Sequence, residues 1–83
     1  MSEDAPSLEA LGRAVRLLRQ SRRLAQDELA VRTGLHRTYL GGIERGERNP
    51  TWKTLATIAA GLGVSLSQLV KRAEDEARNG DAP

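Results

Sequence analysis

Eighty-three residues leave room for one small domain, and the absence of Cys removes disulfides as a support, so stability has to come from close helix packing or a partner subunit. A composition of 39% hydrophobic and 29% charged residues, with Tyr39 and Trp52 the only aromatics, favours a small all-α protein over a β-sandwich. The net charge of +2 is unevenly placed: residues 13–53 hold ten basic residues against four acids, between acidic ends, which points to a polyanionic partner.

In chain order, residues 1–6 are polar and acidic and read as a disordered tail, with no apolar core of signal-peptide length. No apolar run approaches the roughly 18–20 residues of a membrane span, so the expectation is a cytoplasmic protein with no membrane partner. Leu8, Leu11, Val15 and Leu18 recur at helical spacing and predict a first helix over residues 8–22, capped by Ser7, with its Arg series on a solvated face. A second helix is predicted over residues 26–33, stopping at Gly34, which suits a left-handed turn position. A third spans residues 37–46, with Leu40 and Ile43 inward. Gly41 and Gly42 weaken it by about 1 kcal/mol each relative to Ala, so packing has to hold it. After a polar loop, Thr51 caps a fourth helix carrying Leu55, Ile58, Ala59 and Leu62 and ending at Gly63. Ser65 and Gln68 have capping-box spacing and open a fifth helix with Leu66, Leu69 and Val70 apolar, fraying beyond Arg72 toward Asn79. The domain is thus expected over residues 7–79, with 80–83 a second disordered tail.

The second and third helices are joined by Gly34, Leu35 and His36 alone. Leu29, Ala30, Gly34, Leu35, Leu40 and Ile43 together match the register of a helix-turn-helix: a small residue at the closest crossing, a glycine for positive φ, and anchors that turn the outer face of the third helix away from the core. At this point the chain resembles the lambda-repressor-like, XRE-type helix-turn-helix family over residues 11–70. The likeness is carried by Arg19, by QDELAVRTGLHRTYLGGIERGERNPT from Gln26 to Thr51, and by LATIAAGLGVSLSQL from Leu55 to Leu69. Within the family, RTYLGGIERGERNPTWKTL is most similar to the controller proteins of restriction-modification systems. The resemblance implies a compact five-helix DNA-binding domain that holds operators as a dimer. Two departures stand out: Ala25 occupies a position where the family usually has a capping Ser or Thr, and Gly41 beside Gly42 removes side chains that relatives use to read bases.

The residues themselves support that reading. A bidentate Arg on guanine is the commonest specific contact in the major groove, which makes Arg37, at the start of the third helix, the first candidate for base reading. Thr38 and Arg48 join it. Gln26, His36, Tyr39, Arg45, Asn49 and Lys53 are candidates for phosphate contacts, which position a module without reading sequence. Tyr39 has packing as its alternative role, Arg45 an ion pair with Glu47, and Trp52 is expected as a lid on the core. The resemblance implies that Glu44 turns inward to pair with Arg19, with a surface pair to Arg45 or Arg48 as its alternative role. Leu66, Leu69 and Val70 are assigned to a two-fold interface that would set two reading helices about 34 Å apart, Val70 equally fitting the core.

The function expected is a sequence-specific transcriptional regulator, with duplex DNA, a second copy of the chain and RNA polymerase as partners. An antitoxin repressing its own operon, and a protein-interaction module that has lost DNA binding, are the alternatives. Enzyme chemistry is not expected: there is no Cys, one His, no paired inward carboxylates and no phosphate-cradling glycine loop, and neither cofactor nor metal is implied.

Overall fold

The computed structural model describes residues 5–80, in which five α-helices and no strand occur: α1 (Leu8–Ser21), α2 (Gln26–Thr33), α3 (Arg37–Glu44), α4 (Trp52–Leu62) and α5 (Leu66–Gly80). The expected tails lie mainly outside the described residues; Gly80, assigned to the second of them, is helical. Helix starts follow local hydrogen bonding. Ser7 Oγ accepts from the Ala10 amide at 3.0 Å and Thr51 Oγ1 from the Thr54 amide at 3.1 Å. Ser65 and Gln68 form both halves of a capping box, at 3.1 and 2.7 Å. Ala25 offers no side-chain acceptor, but Glu28 Oε1 reaches back to its amide at 2.9 Å and supplies the other half of such a box. α1 ends one residue earlier than expected, at a turn that puts Arg23 at a φ of 56°. α3 ends two residues early because Gly46, at φ 77°, turns the chain away.

The core is built from Ala14, Val15, Leu24, Leu29, Ala30, Leu40, Ile43, Ile58, Ala59, Leu62, Leu69 and Ala73. In α1 the innermost stripe is Ala10, Gly12, Ala14 and Val15; of the predicted series Leu8, Leu11, Val15 and Leu18, Val15 is in the core, while Leu11 and Leu18 pack against it from half-buried positions. Small residues allow the helix axes to come close, and here they bring α1 against both α3 and α5.

α5 does not fray after Arg72. Ala73 is buried, and Glu76 is held from two sides: its carbonyl accepts from Arg13 Nη2 at 3.2 Å, and its carboxylate lies 3.4 Å from Arg72 Nε. Arg13 therefore ties α1 to α5 instead of lying on a solvated face. α4 and α5 meet at 97° through the corner at Gly63, whose φ is 75°. No single helix among the described residues is long and apolar enough to cross a membrane.

Two assignments are corrected here. Leu69 is fully buried among the residues of its own chain, because it points from α5 into the core, and it is unavailable to a two-fold interface. Trp52 is 73% exposed at the first position of α4 and is not among the residues packed against the core, so it does not serve as a lid.

Candidate nucleic-acid interface

The turn between α2 and α3 is made by Gly34 at φ 71°, whose amide donates to the Ala30 carbonyl at 2.9 Å. Leu35 packs on the core, and α3 then buries Leu40, Gly41, Gly42, Ile43 and Glu44. His36, Arg37 and Thr38 are exposed at its opening. His36 caps the helix: its Nδ1 accepts from the Thr38 amide at 3.2 Å, which assigns the ring proton of the neutral imidazole to Nε2 and makes that atom an outward donor. The amino end of α3 therefore presents a cation, a hydroxyl and an imidazole N–H, together with the positive end of the helix dipole.

The carboxyl end of α3 is anchored. Arg19 Nε donates to Glu44 Oε2 at 2.8 Å and Nη2 to Oε1 at 3.0 Å, a two-pronged pair in which both side chains are nearly out of solvent. The remaining nitrogen, Nη1, donates to the Leu24 carbonyl at 2.7 Å, while Gln26 Nε2 donates to Glu44 Oε1 at 3.0 Å. One carboxylate thus joins α1, α2 and α3. Its hydrogen bond holds the Arg19 guanidinium above its ordinary value against the opposing effect of burial, with a smaller coulombic contribution in the same direction. The helices can meet this closely because of Gly12. A Cβ there would lie 2.4 Å from the Glu44 carbonyl oxygen and 2.5 Å from that of Ile43. Gly12 went unnoticed in the sequence, where a glycine inside an amphipathic helix carries no mark of the backbone it will meet.

Gln26, Arg37, Thr38, Gly41 and Arg45 line one shallow polar cleft of about 220 Å³. Gly41 forms its floor, where a Cβ would lie 3.1 Å from Arg45 Nη1. Gly42 lies under Arg48, whose Cγ would be 2.8 Å from a Cβ at that position. The glycine pair therefore makes room for Gln26, Arg45 and Arg48 to lie across α3. Arg45 pairs with Glu47 at 3.1 Å, as its alternative role had it. Tyr39 packs against the core from a half-buried position, while Arg48 and Asn49 are exposed in the loop before α4 and Lys53 in its first turn. Asp27 was not singled out in the sequence, yet its Oδ1 lies 2.7 Å from Arg37 Nε. On α5, Leu66 is half-buried at the edge of the core, and Val70 is half-buried outside the core cluster.

Residues 15–69 match the family described as Helix-turn-helix. The control protein C.SmaI of Serratia marcescens is 45% identical over 64 residues, 77% of this chain and 76% of that protein. Among solved structures, the wild-type restriction-modification controller protein C.Esp1396I superposes with a TM-score of 0.80 at 32% identity, covering 95% of this chain and 99% of the other. The same controller as a tetramer in complex with its natural 35 base-pair operator gives a TM-score of 0.78 at 33% identity, covering 92% and 96%.

Proposed function

The chain belongs to the helix-turn-helix family, of the XRE type, and from that premise we propose that it is a sequence-specific transcriptional regulator of the restriction-modification controller kind. It binds a pseudo-palindromic operator as a dimer, each copy inserting the opening of α3 into the major groove. The observation that carries this reading is the contrast within α3: an exposed cationic start on a helix whose far end is locked to two neighbours by the Arg19–Glu44 pair. Such a helix delivers side chains to base edges in a fixed register.

Arg37, Thr38 and Arg48 read bases, the first two from the cleft, and discrimination comes chiefly from a guanine facing Arg37. His36, Gln26, Tyr39, Arg45, Asn49 and Lys53 set the module on the phosphates. Of Gln26's amide protons one is engaged by Glu44, leaving the other for a phosphate oxygen. A second copy is needed because one such helix covers only about four or five base pairs, a half-site. Leu66 and Val70, one turn apart on α5, form the two-fold contact in place of the three-residue patch expected from sequence. The operator-bound tetramer of C.Esp1396I supports an assembly of this kind. In this reading a dimer on such a site works in the cytoplasm and either blocks RNA polymerase or recruits it.

Selection of duplexes from a random pool by the full-length protein, followed by footprinting, tests this. The expected result is a protected two-fold site with half-site centres about 34–36 Å apart. Recovery of unrelated sequences with no common half-site would refute it. Val70→Asp, outside the core cluster, is expected to give a folded monomer in sedimentation with operator binding weakened by at least about tenfold; an unchanged dimer would remove α5 from the interface.

A further inference from the structure

Arg37, the first candidate for base reading, does not extend freely into solvent. Asp27, the second residue of α2, places Oδ1 2.7 Å from its Nε, and the two side chains are 67% and 69% exposed. A solvent-exposed pair of this kind adds little to folding, because Coulomb attraction is screened and two side chains must be immobilised. An acid on the face turned toward a polyanion also opposes binding. Its presence calls for a reason other than stability or affinity.

The geometry of the contact supplies one. The carboxylate oxygen lies closest to Nε, the guanidinium nitrogen that is not part of the terminal Nη1/Nη2 fork. That fork is the part of arginine that matches the O6 and N7 acceptors of guanine. Arg37 has four freely rotating side-chain bonds, and Asp27, on a different helix, sets an attractive charge against one of its nitrogens and so narrows their range. α2 and α3 are themselves fixed to one another by the Gln26–Glu44 hydrogen bond, so the restraint is referred to the rigid body of the domain. When the groove closes over the pair and excludes water, the attraction strengthens as the local dielectric falls.

We propose that Asp27 is a positioning residue that determines specificity: it aims Arg37 at guanine and, by its charge, lowers affinity for every other sequence. Specificity is a difference of affinities, and here one carboxylate acts on both sides of it. This inference rests on the reading of Arg37 as the base-contacting residue.

The test uses the full-length protein and the duplex it selects from a random pool, with all four base pairs placed in turn at each half-site position. Arg37→Ala first locates the position at which base preference disappears. Asp27→Ala is expected to reduce preference at that same position by about three- to tenfold, a fraction of what a bidentate arginine contributes. It should also tighten binding to random duplex and leave the other positions unchanged. Asp27→Asn loses the charge and keeps an acceptor, so it should share the gain on random duplex while retaining more of the base preference. In the Arg37→Ala background, Asp27→Ala should have no effect on preference.

Equal tightening on selected and random duplexes by Asp27→Ala would overturn the proposal and leave Asp27 as a repulsive charge. A sharper preference in that variant would equally overturn it, showing the carboxylate to hold Arg37 away from the base. If instead Arg37→Ala leaves every position's preference intact, the assignment of Arg37 itself fails, a result distinct from both.

Discussion

The two ends of α3 are seven residues apart and are built on opposite principles. At the carboxyl end, Glu44 is 6% exposed and its carboxylate is engaged by Arg19 and Gln26, while its backbone lies against Gly12 with no room for a methyl group. At the amino end, Arg37 and Thr38 stand in solvent, and the charged contact there, with Asp27, is exposed on both sides. One end is over-determined and the other is left for a ligand. A helix used to read a surface needs both, because precision at the open end is borrowed from rigidity at the closed one.

Breaking the closed end gives the largest effects. Glu44→Ala leaves Arg19 charged and nearly buried without its partner, and unfolding in urea should show a loss of about 3–5 kcal/mol, enough to abolish DNA binding with it. Gly12→Ala drives a methyl group into two backbone carbonyls that cannot move aside as a side chain tip would. It should lower stability by about 1–3 kcal/mol or more, seen as a fall in Tm. At the open end the pattern inverts. Arg37→Ala should leave the melting curve unchanged while weakening binding to the selected duplex by about 1–3 kcal/mol, with relaxed preference at one base pair. Arg48→Ala sharpens the contrast: if Arg48 reads a base, preference relaxes at a second position, and if it meets only phosphate, all sequences weaken alike and the salt slope falls by about one. The smallest effect belongs to a third place. Ala25→Ser would add the missing half of the box that Glu28 already completes from the other side, raising stability by about 0.5–1 kcal/mol with no change in base preference.

Much of the architecture was legible because it is encoded locally. Gly34, Gly63, Ser7, Thr51 and the Ser65/Gln68 pair each act within one helical turn of themselves, and the helix limits they mark agree with the structure to within two residues over α1, α2, α3 and α4. The limit of α5 was misjudged for the opposite reason. The chain beyond Arg72 lacks an apolar pattern and so reads as fraying, whereas in the structure the Glu76 carbonyl is held there by Arg13, sixty-three residues away. The Arg19–Glu44 pair was reachable only through family resemblance, since nothing in the spacing of two charged residues twenty-five apart distinguishes it from a surface pair. Asp27, by the same token, entered the sequence reading only as one of the four acids of residues 13–53.

The sequence by itself determined where the helices begin, where α1 to α4 end to within two residues, which residues form the turn between α2 and α3, and that positive charge gathers in the middle of the chain, because caps, glycine conformations and periodicity act over a few neighbouring residues. Tertiary structure alone decided that α1 buries Ala10, Gly12 and Ala14 more deeply than its leucines, that Leu69 serves the core, that Trp52 stands in solvent, and that Arg37 faces Asp27. Those outcomes depend on how closely two helix axes approach and at what rotation. That is a property of the pair, and neither helix carries it alone.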